Sequence, residues 1–411
     1  MISRAGGGFG PPATPLPAIP SWVPAAGQAA SYTGGGAVLT NNCRAVVDPT
    51  AIGFSLFNFS KTTDYSGLFL HPTWRTYGGW VGWGGGHSTS NYCGAWMVTP
   101  KSTTIEFECL LTSFAWTGGV LDTGDNSAQC NSYSEATGSS PLRKAGPHSY
   151  GCGAVVAGKF VDPYPQALGY SNWASIQAAH ELDLTDPSVA PQTRAWVRRT
   201  ATIGSMSPAN APTLSCYVPA QNRQFFARRG GGSPFNMAWF DHGSNTWVEG
   251  SGTGFNYAEG SVDIGALVHV PSRDLLLCCY RVSGNLVIQY ANVASGVSQP
   301  ALGGTATLSA SLAIPDAWGA IGWCSHSSRL QVFGVVSNTD KVYEIDIPST
   351  LSNTWTVDTA GALPGGATIV PRVTSTWGLP YNELCRVFLF LPNGLVDTGN
   401  DVVQAYRPRN T

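Results

Sequence analysis

The sequence predicts an all-β fold built from repeated four-stranded units, and composition, strand patterning and an internal repeat each support this prediction. The chain has 411 residues, among them 49 Gly and 28 Pro, and 43% of its residues are hydrophobic. This composition is typical of a packed, turn-rich protein and unlike that of a disordered or collagen-like chain. Short runs of alternating apolar and polar residues are separated by Gly, Asn and Pro turns, which is the pattern of short β-strands.

The internal repeat has six copies. In each copy a short strand ends in a Pro or polar turn, an apolar strand follows, and a Gly-containing turn leads to a further strand. The turn prolines Pro219, Pro271 and Pro380 fit a period of about 52 residues, with one degenerate copy between the last two. The larger spacing from Pro72 to Pro219 predicts an insertion around residues 160–192. The six copies lie at residues 68–86, 147–163, 215–232, 267–284, 321–338 and 375–394.

Each copy is followed by a third strand, and most copies by a fourth. Third strands are predicted at residues 94–100, 176–184, 236–242, 285–293, 341–348 and 401–408, and fourth strands at 104–110, 193–199, 245–250 and 353–358. Four strands in a unit of about 50 residues make the blade of a β-propeller. We therefore predict a single six-bladed propeller over residues 31–411, while residues 31–66 leave a seventh blade as an alternative.

The chain termini predict how the ring closes. Residue 411 follows directly after the third strand of the last unit, so the outermost strand of that unit is missing. An unpaired sheet edge is unfavourable, and we expect an N-terminal strand within residues 33–60 to complete it. Residues 1–30 are rich in Gly and Pro and are predicted to form an extended arm that wraps its own ring or reaches a neighbouring subunit.

Several fragments resemble the kelch type of propeller. "GGGHSTSNYCGAWMVTPKSTTIEF" (84–107) resembles the kelch run of glycines, polar turn and aromatic strand, and "WFDHGSNTWVEG" (239–250) and "EIDIPSTLSNTWTVD" (344–358) resemble its hairpin between the third and fourth strands. "RKAGPHSYGCGAVVAGKF" (143–160) is similar to the opening of a kelch first strand. The resemblance implies the wider group of propellers like the central domain of galactose oxidase. We expect no copper site, because the added domain that carries part of that site has no counterpart here.

Charge and local motifs exclude several classes of function. Only 11% of residues are charged and the net charge is -2, so no electrostatic footprint for nucleic acid is present. We find no signal-peptide pattern and no apolar run long enough to insert into a membrane. The ten cysteines form no CxxC pair and are expected to be buried thiols. No histidine spacing indicates a metal, and no cofactor is expected.

The candidate ligand-binding residues are histidines and the aromatic residues beside one of them. His87, His148 and His326 lie near the inner strands of three different units, and Trp83 and Tyr92 flank His87. The alternative is that these imidazoles bond backbone carbonyls between blades. No catalytic residue is assigned.

Two further residue classes have equally ordinary explanations. Arg75, Arg223 and Arg273 occupy equivalent repeat positions, as an arginine triad would, but turn arginines are usually just solvated. Five tryptophans are expected to pack between blades rather than to bind sugar, namely Trp96, Trp196, Trp239, Trp247 and Trp355.

The sequence favours a non-enzymatic propeller that acts as a structural or interaction module. The most specific expectation is a virion protein associated with the tail or fibre of a bacteriophage, made without a signal peptide and contacting other structural subunits through its N-terminal arm. The alternative, from a different class, is a carbohydrate-binding propeller or a carbohydrate-active hydrolase or lyase that contacts a surface glycan.

Overall fold

The structure is a six-bladed β-propeller. The computed structural model describes residues 16–33, 68–83, 95–111, 116–117, 120–121, 153–163, 178–189, 193–200, 212–228, 236–255, 265–315, 319–336, 340–362, 378–390 and 402–411. Within these ranges the chain forms six sheets of three or four strands and one short hairpin. All neighbouring strands within the sheets are antiparallel, and in blades 1 to 5 they are adjacent in chain order.

The first three blades follow the predicted repeat. Blade 1 contains β2 (Leu68–His71), β3 (Gly79–Trp83), β4 (Ala95–Pro100) and β5 (Ile105–Leu111). The hairpin of β6 (Trp116–Thr117) and β7 (Val120–Leu121) follows. Blade 2 contains β8 (Ala154–Val156), β9 (Lys159–Asp162), β10 (Ala178–Asp183) and β11 (Trp196–Thr200). Blade 3 contains β12 (Pro212–Val218), β13 (Arg223–Arg228), β14 (Asn236–Asp241) and β15 (Thr246–Thr253).

The last three blades complete the ring. Blade 4 contains β16 (Ala266–Val270), β17 (Leu275–Val282), β18 (Asn285–Asn292) and β19 (Leu302–Thr305). Blade 5 contains β20 (Ile321–Cys324), β21 (Arg329–Val332), β22 (Lys341–Asp346) and β23 (Thr356–Ala362). Blade 6 contains β24 (Phe388–Phe390), β25 (Val402–Arg407) and, from the N-terminus, β1 (Gln28–Thr33). Two 3-10 turns, Pro219–Gln221 and Pro271–Arg273, join the first two strands of blades 3 and 4.

An N-terminal strand closes the ring, as predicted. β1 pairs antiparallel with β25 over six residues, from Gln28 opposite Arg407 to Thr33 opposite Val402. The strand lies just before the segment 33–60 in which we expected it, and it includes the last three residues of the predicted arm. Immediately upstream, the Trp22 indole N–H donates to the backbone carbonyl of Lys101 at 2.9 Å. The N-terminal segment therefore holds blade 6 and the outer turn of blade 1 together.

Blade 6 packs directly against blade 1, which fixes the number of blades at six. Trp80 and Trp96 of blade 1 share a buried cluster with Val387 and Leu389 of blade 6. The Trp80 indole N–H also donates to the carbonyl of Pro380, 300 residues away, at 3.2 Å.

The longest stretch between consecutive blades runs from Leu111 to Ala154, so the insertion lies mainly there and not around residues 160–192.

The core lies between blades and is built from large aromatic side chains. The five tryptophans expected between blades are all buried, each at most 3% exposed. Trp355 of blade 5 stacks on Tyr290 of blade 4, with ring centroids 5.9 Å apart. Gly82 makes room for such a ring, because a Cβ there would lie 2.1 Å from the Trp96 indole.

One backbone feature recurs in every blade. In blades 1 to 5 the turn between the first and second strands, and in blade 6 the turn before β24, contains a non-glycine residue with φ between 49° and 60°, a region that side chains other than Asn and Asp rarely adopt. After the 3-10 turn of blade 3 this residue is Asn222, whose N–H closes the turn on the carbonyl of Pro219. The six equivalent positions are Arg75, Ala157, Asn222, Asp274, Ser328 and Arg386. These turns bring six chain segments to the same end of the ring.

Candidate functional site

The candidate site is a cavity of about 570 Å³ on the axis of the ring. Its walls come from the inner strands β2, β8, β12, β16 and β20 and from residues 378–381, which take the inner position of blade 6. A cavity of this size is typical of sites that bind small molecules. Most of the wall is apolar, formed by Leu68, Phe69, Leu70, Ala154, Val155, Leu267, Val268, Trp323 and Leu379.

The cavity reaches the end of the ring at which the first and second strands of each blade join. One residue from each blade forms this rim, and the six are Pro72, Ala157, Pro219, Pro271, Ser325 and Glu383. All of them are exposed except Ser325, which is half-buried. Proline begins the turn in three of the blades because its fixed φ suits the first position of such a turn. The rim therefore presents short or rigid side chains and, among the described residues, one carboxylate.

Most polar groups on the wall already have hydrogen-bond partners within the protein. The Tyr217 hydroxyl donates to the Asn222 side-chain oxygen at 2.9 Å, and the Tyr381 hydroxyl lies 3.1 Å from Nδ1 of His326. The Cys216 thiol donates to the carbonyl of its neighbour Tyr217 at 3.9 Å. These bonds hold the side chains in place and use up much of their capacity to bond a ligand.

His269 and Glu383 lack the hydrogen-bond partners that Tyr217, Tyr381 and Cys216 have, and the Ser325 hydroxyl at the rim also has no partner among the described residues. His269 is half-buried on β16, and its imidazole has no hydrogen bond to any described residue. Glu383 lies exposed at the rim and makes no hydrogen bond or ion pair with the described part of the chain. These two side chains are therefore free to bond a molecule that enters the cavity.

Burial keeps the cavity's thiol, phenols and imidazole in their uncharged forms at neutral pH. Burial lowers the pKa of His269 to about 4, against a smaller opposing effect of Asp274. Burial raises the pKa of Cys216 to about 12 and also raises the pKa of Tyr217 and of Tyr381. A thiol with so high a pKa is a poor nucleophile, so the neighbouring Cys216 and His269 do not form an activated Cys-His pair. The wall offers neutral donors and acceptors.

The five predicted ligand-binding residues do not form one described group. His87, Tyr92 and His148 lie outside the described residues. The backbone of Trp83 ends β3, and its side chain lies outside the described part. His326 is exposed in the turn between β20 and β21, at the end of the ring opposite Trp83, because strand ends alternate along an antiparallel sheet. It sits beside the cavity rim and bonds Tyr381 of the next blade rather than a backbone carbonyl.

Histidines elsewhere support the ordinary explanation. His71 is buried at the end of β2, and its Nε2 lies 3.3 Å from the carbonyl of Gly158 in the next blade. Burial lowers its pKa. His71 therefore joins two blades through backbone bonding, as the alternative interpretation described for such imidazoles.

The three equivalent arginines do not line the cavity. Arg75 pairs with both carboxylate oxygens of Glu108 at 2.8 Å, and Arg223 pairs with Asp241 at 3.5 Å. Arg273 donates to three backbone carbonyls of blade 5, those of Ile347, Pro348 and Ser349, at 2.7 to 3.1 Å. Their partners are in their own blade or on the outer turns of the next one, so these arginines stabilise the ring.

No metal centre is found among the described residues, where no three His, Cys, Asp or Glu side chains gather. The described cysteines are free thiols, four of them buried and Cys216 half-buried. The described part of the chain also contains no helix long and apolar enough to cross a membrane.

Sequence reasoning missed the principal side chains of the cavity. Trp323, His269, Tyr217 and Tyr381 come from inner-strand positions, and alternate residues of an inner strand face the axis. These residues could have been found in the sequence by comparing equivalent positions in the first strands of all six repeat copies. The predicted site residues came instead from histidines and from the glycine-rich stretch of blade 1.

Comparison with known proteins gives no family. No protein-family model matches the sequence, and no curated protein matches it significantly. The resemblance to kelch propellers therefore stays a prediction.

Three solved structures with a similar chain path are distant from this chain. The gluconolactonase of Xanthomonas campestris is 11% identical, with a TM-score of 0.41 over 85% of this chain and 87% of that one. The α-L-arabinofuranosidase Arb93A of Fusarium graminearum is 9% identical, with a TM-score of 0.43 over 84% and 92%. The β-propeller domain of Cps50 (Swd1) from Myceliophteria thermophila is 11% identical, with a TM-score of 0.37 over 81% and 91%. Likeness at this level carries no information about function, and the fold assignment rests on the six sheets of this chain.

Proposed function

We propose that this protein is a non-enzymatic interaction propeller that binds a small molecule or a projecting group of a partner in its axial cavity. The observation that carries the proposal is the convergence of all six blades on one cavity of about 570 Å³ with a mainly apolar wall. Such a cavity buries a ligand on several sides and removes apolar surface from water, which is the main source of affinity in small-molecule sites.

The protonation states of two side chains on the cavity wall favour ligand binding over catalysis. The pKa of His269 is lowered to about 4 by burial and that of Cys216 is raised to about 12, so neither group exchanges a proton readily at neutral pH. General acid-base catalysis works best when the pKa of the catalytic group lies near the working pH. These two side chains are therefore suited to hold a ligand and not to transfer its protons.

Carbohydrate binding is the second candidate, and the aromatic side chains of the cavity favour it. Trp323, Tyr217 and Tyr381 all line the cavity, and aromatic rings with polar edges are the side chains on which sugar rings stack. In this version the ligand is a mono- or disaccharide that enters from the rim.

The assembly role in a phage tail or fibre is a more specific version of the interaction proposal. It is supported by the low charge of the chain and by the Gly- and Pro-rich N-terminal segment. Electron microscopy of the native particle that contains the chain is the test, and we expect the propeller in contact with other subunits. A monomer without partners under native conditions contradicts the assembly role.

A cavity-filling variant tests the binding proposal. Val155 is half-buried on the cavity wall, and Val155→Trp places a large ring there, while Val197→Trp is the matched control on the outer strand β11, where Val197 is 51% exposed. Isothermal titration calorimetry with tryptamine, tryptophol, D-glucose and maltose measures binding to the wild type and to each variant. We expect at least one probe to bind the wild type and V197W but not V155W, with circular dichroism showing that all three proteins fold. No binding by any probe, or equal binding to V155W, contradicts the proposal.

A further inference from the structure

We propose that the axial cavity takes a small organic amine with a flat apolar body, whose ammonium group lies at the rim beside Glu383 and whose body reaches His269 on the wall. This inference rests on the proposed function and specifies the class of ligand. It follows from which polar groups of the cavity are already bonded within the protein and from the sign of the charge at the rim.

The apolar wall favours a ligand with an apolar body over a sugar. Each sugar hydroxyl that enters a cavity must exchange its water for a protein partner, and a polar group left unpaired there weakens binding. Here the hydroxyls of Tyr217 and Tyr381 are bonded to Asn222 and His326, so they offer few partners. An apolar ring loses nothing by contact with Leu68, Val155 or Trp323 and gains by leaving water.

An unsatisfied imidazole on the wall favours a hydrogen-bond donor on the ligand. His269 has no hydrogen bond to a described residue, and its imidazole is uncharged at neutral pH because burial lowers its pKa to about 4. A neutral imidazole keeps one ring nitrogen as an acceptor. An N–H on the apolar body, such as that of an indole ring, can donate to it.

The rim selects a cation. Glu383 is the one ionisable carboxylate among the described residues that line the cavity, and no described lysine or arginine lines it. Arg386 lies in the same turn and acts on Tyr381 and His326, but it does not line the cavity. A ligand at the rim therefore meets the carboxylate directly. Because Glu383 is exposed, solvent screens the interaction and the selectivity it gives is modest.

A set of four indoles tests the inference. Tryptamine, tryptophol and indole-3-propionate share one body and end in an ammonium, a hydroxyl and a carboxylate, while 1-methyltryptamine keeps the ammonium but has no ring N–H. Calorimetry measures their dissociation constants for the wild type, Glu383→Gln and His269→Leu. For the wild type we expect tryptamine to bind about threefold more tightly than tryptophol, and indole-3-propionate to bind most weakly.

The variants separate the two contacts. E383Q is expected to remove the preference for tryptamine over tryptophol. H269L is expected to weaken tryptamine about fivefold, the size of one lost hydrogen bond, and to leave 1-methyltryptamine unchanged. Circular dichroism and thermal unfolding of both variants show whether the ring is intact.

Other results contradict either the amine inference or the proposed function itself. If indole-3-propionate binds as tightly as tryptamine, or if E383Q keeps the order of the wild type, the amine inference is wrong while the cavity remains a binding site. If only glucose or maltose binds, the inference is wrong and carbohydrate binding replaces it. If no indole and no sugar binds the wild type, the proposed function itself fails.

Discussion

His242 provides the sharpest test of how burial sets the stability of this propeller. The side chain follows β14, is 6% exposed, and packs edge-on against Tyr217 and Phe240 with ring centroids 5.4 and 5.1 Å away. Neither ring nitrogen has a hydrogen-bond partner in the described structure. Burial and the nearby charge of Arg199 lower the pKa of His242 to about 4, against a smaller opposing effect of Asp241.

The lowered pKa makes stability depend on pH. In the unfolded chain His242 has a pKa of about 6.5, so between pH 6.5 and 4 the unfolded state binds the proton that the folded state excludes. The stabilisation is complete above pH 6.5 and is lost as the pH falls towards 4. A difference of roughly 2.5 pKa units corresponds to about 3 kcal/mol in the free energy of unfolding. His269, whose pKa is also lowered to about 4, adds a similar loss.

Replacing His242 by leucine removes its share of this loss. We expect the free energy of unfolding of H242L to fall by about 3 kcal/mol less than that of the wild type between pH 7 and pH 4. At pH 7 the variant is expected to be as stable as the wild type or about 1 kcal/mol more stable, because two unpaired buried nitrogens disappear. Urea unfolding followed by tryptophan fluorescence at pH 7, 6, 5 and 4 measures both quantities.

The control is His326→Leu, which changes an exposed imidazole. Burial and the charge of Arg386 lower the pKa of His326 less than burial lowers that of His242, so this variant is expected to lose nearly as much stability as the wild type over the same pH range. If H242L and the wild type lose stability in parallel from pH 7 to pH 4, the imidazole of His242 is not excluded from protonation in the folded state and the argument from burial is wrong.

Two further substitutions and one deletion test the ring itself. Gly82→Ala places a Cβ 2.1 Å from the Trp96 ring, and we expect a loss of about 2 to 4 kcal/mol in urea unfolding. Arg273→Ala removes three hydrogen bonds to blade 5, and a loss of about 1 to 3 kcal/mol is expected, with only partial recovery in Arg273→Lys. Deleting residues 1–33 exposes the edge of β25, so we expect a lower melting temperature and self-association in sedimentation velocity, whereas deleting residues 1–15 keeps β1 and the wild-type behaviour.

The blades could be predicted because the same local pattern of strand and turn residues recurs in each of them. All six third strands begin and end within two residues of their predicted limits, since turn residues bound a clear alternation of apolar and polar positions. The fourth strand of blade 4, Leu302–Thr305, was missed because its sequence LGGT has two glycines and no alternation. The closing strand QAASYT was placed too late in the chain because its edge position leaves no apolar pattern to recognise.

The cavity could not be predicted in the same way, because no local pattern encodes it. Each blade contributes only a few residues to it, and in the sequence a cavity-lining residue such as Trp323 looks the same as its buried neighbour Cys324. Only the register of the inner strands relative to the axis separates the two classes. That register depends on how six blades pack together, which is a property of the closed ring.

The turns at the rim contain one position that is structurally required in every blade and others that differ between blades. All six blades have a residue with positive φ in this turn. In blade 2 the rim residue Ala157 is itself the residue with positive φ. The other five rim positions carry no such requirement, and there the blades differ: three have proline, and two have Ser325 and Glu383. Glu383 makes no hydrogen bond or ion pair with the described residues, and its charge acts on the nearby His326 and Tyr381. In the proposal above, this exposed carboxylate at the mouth of an apolar cavity is the group that meets the ammonium of the ligand.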